Sequence, residues 1–172
     1  GNTNWSEAER FTIISFLEHY KTAYALKRLD YISSIFADDA LIIVGNVVKV
    51  NKSAENPFQS SSIIKYNRYD KQKYLKNLEH CFASNEFINI KFEDSNIRKA
   101  GQNGGKYGIQ IKQNYYSSNY GDQGYLFLLV DFENPAEPTI HVRTWQPEKN
   151  PDGSVYGVED FSVDWIQPQI VY

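Results

Sequence analysis

The sequence predicts an α+β domain in which three helices come first and an antiparallel sheet follows. Three observations carry that class. Through about residue 85, apolar residues recur at helical spacing in segments opened by the capping residues Ser6, Asp30 and Asp70. From Phe87 the period changes to two, the pattern of half-buried strands. The alternating segments are joined by short turns rich in Gly, Asn and Pro, which makes them an antiparallel meander, and the helices must cover one of its faces to bury their own apolar stripes.

The first helix opens at Ser6-Glu7-Ala8-Glu9, a capping-box spacing in which Ser6 bonds the Glu9 amide and the Glu9 side chain answers back. Its apolar positions, Ile13, Phe16, Leu17, Tyr20, Ala23 and Tyr24, line one face of a 3.6-residue period. A second, short helix takes Asp30 as N-cap and turns Ile32, Ile35 and Phe36 inward. Asp38-Asp39 then falls at a connection, ahead of the run Leu41-Ile42-Ile43-Val44 and a strand with a turn or bulge at Gly45-Asn46. Two adjacent aspartates raise the question of a catalytic pair. Between a helix and a strand, however, Asp side chains bond nearby backbone amides, so the pair reads as turn chemistry.

Residues 51–62, NKSAENPFQSSS, have the Asn, Pro and Ser content of an irregular loop, long enough to act as a lid. A third helix follows, capped by Asp70, with Tyr74, Leu75, Leu78, Cys81 and Phe82 on one face and its end near Asn85. Ile88, Ile90 and Phe92 then alternate with polar neighbours. Turns at 101–105, 119–124 and 134–138 separate strands over 106–118, 125–132 and 139–146. These elements define a domain over residues 1–146. Residues 147–172 are rich in Pro, Gly and acids but carry Tyr156, Phe161, Trp165 and Ile170 as anchors, which predicts a C-terminal strap or linker.

The long helix, the short helix ending in "IFADDALIIVG", the third helix and the antiparallel sheet together resemble the nuclear-transport-factor-2-like superfamily, which includes ketosteroid-isomerase and SnoaL-like proteins. The resemblance covers about residues 6 to 146 and implies a cone-shaped fold with a strongly curved sheet. The segments "YKTAYALKRLDYISSIFADDALIIVG", "YGIQIKQNYYSSNYGDQGYLFLLVDF" and "IHVRTWQP" look most like uncharacterised domains of bacterial cell-envelope proteins, which lie behind a signal peptide. That implies a periplasmic or extracellular location. The absence of methionine and the polar lead after Gly1 fit an N-terminus left by removal of such a peptide. No apolar run approaches the roughly 18 residues of a membrane span.

Candidate site residues follow from strand parity and from tyrosine usage. The chain has 13 tyrosines, and such amphipathic rings favour binding surfaces. Tyr107, Ile109, Ile111, Gln113 and Tyr115 share one face of their strand, an apolar floor with polar tips suited to a cavity wall. With Tyr20, Tyr24 and Tyr66 they give a candidate ligand set of Tyr20, Tyr24, Tyr66, Tyr107, Gln113 and Tyr115. In the strand 125–132, Leu126, Leu128, Val130 and Phe132 face the core and leave Tyr125 and Asp131 outside. Taking Ile140 and Val142 as core in the last strand leaves His141, Arg143 and Trp145 beside them. Tyr125, Asp131, His141, Arg143 and Trp145 are therefore expected to form an exposed contact face suited to a homodimer.

Charge and motif searches narrow the function. Eighteen basic and 21 acidic residues without a like-charged block argue against nucleic acid as partner. "GQNGGKYG" fails the phosphate-loop spacing, with Ala100 and Tyr107 where Gly and Ser or Thr are required. The lone Cys81 and the dispersed His19, His80 and His141 offer no metal-ligand spacing and no nucleophile with a base, so no cofactor, metal or catalytic residue is assigned. The expected function is a non-catalytic ligand-binding or assembly module of a secreted or envelope protein, taking a small molecule or glycan. The alternative is a small isomerase- or cyclase-type enzyme acting on an apolar ligand, which would need a buried carboxylate beside a tyrosine.

Overall fold

The computed structural model describes residues 6–51, 60–101 and 105–161. Its elements in chain order are α1 (Glu7–Ala25), α2 (Leu29–Ile35), β1 (Phe36–Asn51), β2 (Ser60–Tyr69), α3 (Lys71–Ser84), β3 (Ile88–Lys99), β4 (Lys106–Ser117), β5 (Gly121–Asp131) and β6 (Thr139–Gln146). They form one six-stranded sheet in the order β2-β1-β6-β5-β4-β3, with the helices on its inner face. All neighbours are antiparallel except β1 and β6. The class is α+β, as the change of period predicts.

The helices start where local chemistry starts them. Ser6 Oγ accepts from the Glu9 amide at 3.0 Å and Glu9 Oε1 accepts from the Ser6 amide at 3.3 Å, completing the capping box. The stripe from Ile13 to Tyr24 is buried as the spacing requires. The end of α1 is a Schellman motif: Arg28 N–H bonds the Ala23 carbonyl and Lys27 N–H the Tyr24 carbonyl, with Lys27 in the left-handed region at φ 58°. That tight exit starts α2 at Leu29, so Asp30 is not its N-cap; it lies in the first turn, where its charge favours the helix dipole. Asp70 does cap α3, accepting from Lys73 N at 2.7 Å.

Strand β1 begins at Phe36, so Asp38 and Asp39 lie within it rather than in a turn. They occupy the irregular stretch between Phe36 and Leu41 in the pairing with β6, and both are exposed. Asp38 pairs with Lys71 at 3.1 Å. The supposed loop over 51–62 is also shorter than its composition implies, because β1 runs to Asn51 and β2 starts at Ser60. The lid expectation rests on residues 52–59, which lie outside the described residues. Strand β2 itself has no counterpart in the sequence reading.

Two apolar layers sandwich the sheet. On the inner face, Leu126, Leu128, Val130, Ile109, Ile111 and Ile140 pack against α1 and α3. On the outer face, Leu41, Phe127, Leu129 and Val142 are covered by the chain's own residues 147–161, chiefly Tyr156, Val158 and Phe161. Phe161 stacks on Phe127 with centroids 5.5 Å apart and planes at 10°. Gln110 Nε2 donates to the Val155 and Tyr156 carbonyls, and Tyr156 N–H donates to Gln146 Oε1 at 2.7 Å. The centre of the face assigned to a second copy is thus occupied by the same chain.

The face assignment in β6 needs a correction. Leu129 pairs with Val142 but Val130 pairs with Ile140, so His141 is an extra, bulged residue. One inserted residue reverses the parity beyond it. Arg143 and Trp145 therefore join Ile140 on the inner face, 9% and 8% exposed, while Val142 turns outward. Asp131 and His141 do lie together outside, 3.9 Å apart, and Tyr125 lies half-buried beneath the Lys149 ammonium.

Candidate functional site

Between α1, α3 and the inner face of the sheet lies a cavity of about 510 Å³. Each wall comes from a different part of the chain. The last turns of α1 supply Tyr20 and Tyr24, one helical turn apart on the buried stripe, with ring centroids 4.6 Å apart. α3 supplies Tyr74, Leu78 and Cys81 at the same spacing rule. The sheet supplies Ile90, Gln113 and Tyr115, and the corrected parity of β6 adds Arg143 and Trp145.

Of the six candidate ligand residues, Tyr20, Tyr24, Gln113 and Tyr115 line this cavity. Tyr107 shares their face of β4 but stands six residues from Gln113, about 20 Å along the strand. It bonds Glu9 at the start of α1 and closes the far end of the core. Tyr66 points to the outer face, where it packs over Gly45 and meets Tyr156 edge-on at 5.8 Å. The residues that sequence reading missed are Tyr74 and Asp122, together with the two it placed outside, Arg143 and Trp145. Tyr74 had a readable signal, since it begins the apolar stripe of α3.

Arg143 organises the polar part of the cavity. Its Nε donates to the Tyr20 hydroxyl at 3.2 Å, and its guanidinium lies 5.1 Å from the Tyr74 ring centroid, within cation–π range. The Tyr24 and Tyr74 hydroxyls are 2.6 Å apart, which links both helices beneath the guanidinium. Among the described residues no carboxylate pairs with Arg143. Burial works against its charge, but Tyr74, Tyr20 and Tyr24, in that order, outweigh it and hold the group above the usual arginine range.

Burial likewise pushes the Tyr74 phenol up to about 12 and raises Tyr24 and Tyr115. These hydroxyls are neutral hydrogen-bonding groups at physiological pH. Tyr115 lies 3.4 Å from Cys81 Sγ and 5.6 Å, ring to ring, from the exposed Tyr120. Asp122, half-buried opposite Tyr115 in the β4–β5 register, is the one carboxyl among the described lining residues; burial raises its pKa. Among the described residues no three His, Cys, Asp or Glu side chains converge to hold a metal ion.

The sequence matches no protein-family model and no curated protein. Solved structures do match. An NTF2-like protein of unknown function from Pseudomonas putida superposes with a TM-score of 0.59 at 12% identity, covering 88% of this chain and 95% of that one. A scytalone-dehydratase-like protein from Novosphingobium aromaticivorans gives 0.57 at 10% identity, covering 81% and 83%. The chain has the nuclear-transport-factor-2-like fold. Bd1075 of Bdellovibrio bacteriovorus gives 0.61 at 11% identity over 84% of this chain, which spans only 42% of the Bd1075 chain. In this fold the cavity lies between the helices and the inner sheet face. No helix among the described residues is long and apolar enough to cross a membrane.

Proposed function

We propose that this NTF2-like domain is a non-catalytic module that binds a small, largely apolar organic molecule between α1, α3 and the sheet. The observation that carries the reading is the 510 Å³ cavity, walled by aromatic and aliphatic side chains, with a few polar groups converging from separate elements. Ligand pockets of roughly 300–1,000 Å³ have this composition. The aromatic walls favour a ring-bearing molecule over a glycan. Tyr24, Tyr74 and Tyr115, all raised by burial, act as neutral donors and acceptors rather than bases.

The test is thermal shift with a panel of aromatic and alicyclic metabolites, repeated on Leu78→Phe, which adds a ring to the cavity wall. A ligand that binds only the native state raises its melting temperature. The expected result is stabilisation of wild type that is lost in Leu78→Phe. Stabilisation by no member of the panel would overturn the reading.

A second reading, an isomerase- or cyclase-type enzyme, is favoured by one observation: the half-buried Asp122, its pKa raised, lies across the register from Tyr115. Binding is preferred because the deeper polar group is a cation, Arg143, and not a base. Turnover abolished by Asp122→Asn would establish the enzyme instead.

The module is further proposed to belong to a cell-envelope protein. Support comes from the sequence resemblance of its helix and strand segments to envelope domains. Recovery of the tagged full-length protein solely from the cytosol would remove that part of the reading.

A further inference from the structure

We propose, on the reading of the cavity as a ligand site, that its ligand is an organic monoanion: a ring-bearing carboxylate held by the free edge of the Arg143 guanidinium. A guanidinium has five N–H donors. At Arg143 the Nε donor is taken by Tyr20, and the Nη1 and Nη2 groups have no acceptor among the described residues. The side chain is more than nine-tenths buried, and it lines the cavity rather than the sheet's outer surface. A buried cation without a counter-charge is costly in a protein interior; the Tyr20 bond and the Tyr74 ring offset that cost, and an anion in the cavity would supply the missing charge.

The geometry selects the anion. The Tyr20 bond and the Tyr74 ring fix the guanidinium in two directions, which pre-organises its fork for two parallel bonds to a carboxylate. Arg143 is the one cationic side chain among the described lining residues, and Asp122 is the one carboxyl. A single guanidinium suits a single acid group; with a carboxyl already at the same cavity, a phosphate dianion would leave charge unmatched. Trp145, Ile90 and Leu78 complete an apolar seat for the ring.

The experiment uses matched acid and amide pairs: 1-naphthoate with 1-naphthamide, cinnamate with cinnamamide, and indole-3-acetate with indole-3-acetamide. Affinities are read by calorimetry on the full chain at neutral pH. The expected result is that at least one acid binds about tenfold or more tighter than its amide. In Arg143→Met that acid should fall to the affinity of its amide, while the melting temperature holds or rises because an unpaired buried charge is gone. Tyr20→Phe keeps the charge but frees the fork, and should weaken the acid severalfold without affecting the amide. Equal affinity of acid and amide, or an undiminished acid preference in Arg143→Met, overturns the charge assignment and leaves the cavity reading standing. Binding of neither member of any pair overturns both.

Discussion

Arg143 in β6 and Tyr20 in α1 share a hydrogen bond of 3.2 Å across 123 positions of sequence. It joins the last strand to the first helix, and the Tyr24–Tyr74 hydroxyl contact extends the same polar layer to the third helix. The rings of Tyr20, Tyr24 and Tyr74 belong to the core itself, so the layer sets three hydroxyls and a guanidinium directly against apolar packing.

The neighbouring Thr144 is a simpler case of a buried polar group. It faces outward between Ile43 and Phe127, and its hydroxyl has no hydrogen-bond partner among the described residues. Thr144→Val replaces that hydroxyl with a methyl group and should raise stability by about 1 kcal/mol. A urea midpoint that rises with unchanged m-value checks this; a lower midpoint would mean the hydroxyl has a partner in solution.

Gly124 seats Trp145. A Cβ at this position would lie 2.4 Å from the Gln146 carbonyl oxygen and 2.7 Å from the indole. The carbonyl belongs to a paired strand and cannot retreat, so Gly124→Ala should cost about 2 kcal/mol. It should also shift Trp145 emission, because the ring is the part able to move. A variant as stable as wild type, with the same spectrum, contradicts the seating.

Phe161 anchors the segment over the outer sheet face. Phe161→Ala removes the ring stacked on Phe127 and should destabilise by about 2–3 kcal/mol. It also uncovers Phe127, Leu129 and Val142, so the variant should self-associate in sedimentation more than wild type. Unchanged stability would show that the segment adds nothing to the fold.

His141 gives stability a pH dependence. Burial lowers its pKa, opposed by Asp131 and then Asp39, while Lys106 lowers it further. A depressed imidazole pKa means the unfolded chain binds the proton more readily, so stability is full above about pH 6.5 and falls as pH drops through that value. His141→Gln should flatten this part of the urea midpoint against pH. An identical profile in the variant would assign the slope to other groups.

Much of this was legible in the sequence. The α1 stripe, two of three helix caps, the inward residues of β3 and β4 and four cavity residues follow from period and capping chemistry. Strand β2 was not, because as an edge strand it buries little, and SSSIIKYNRY shows no clean alternation. The β6 parity was hidden for a different reason. A bulge inserts one residue without any compositional mark, and here both faces of the strand are covered, so Val142 and Trp145 are equally plausible as core. The Arg143 site was invisible to sequence as a direct result.

The parallel pairing of β1 with β6 sets an order of events during synthesis. Phe36 must wait for Ile140, roughly a hundred positions later, before the centre of the sheet can close, a non-local step of the slow kind. A nascent chain that has released both tyrosine-bearing helices but not β6 lacks Arg143 and Trp145. On the proposed reading, a ligand present during synthesis would meet its guanidinium only once β6 has joined the sheet.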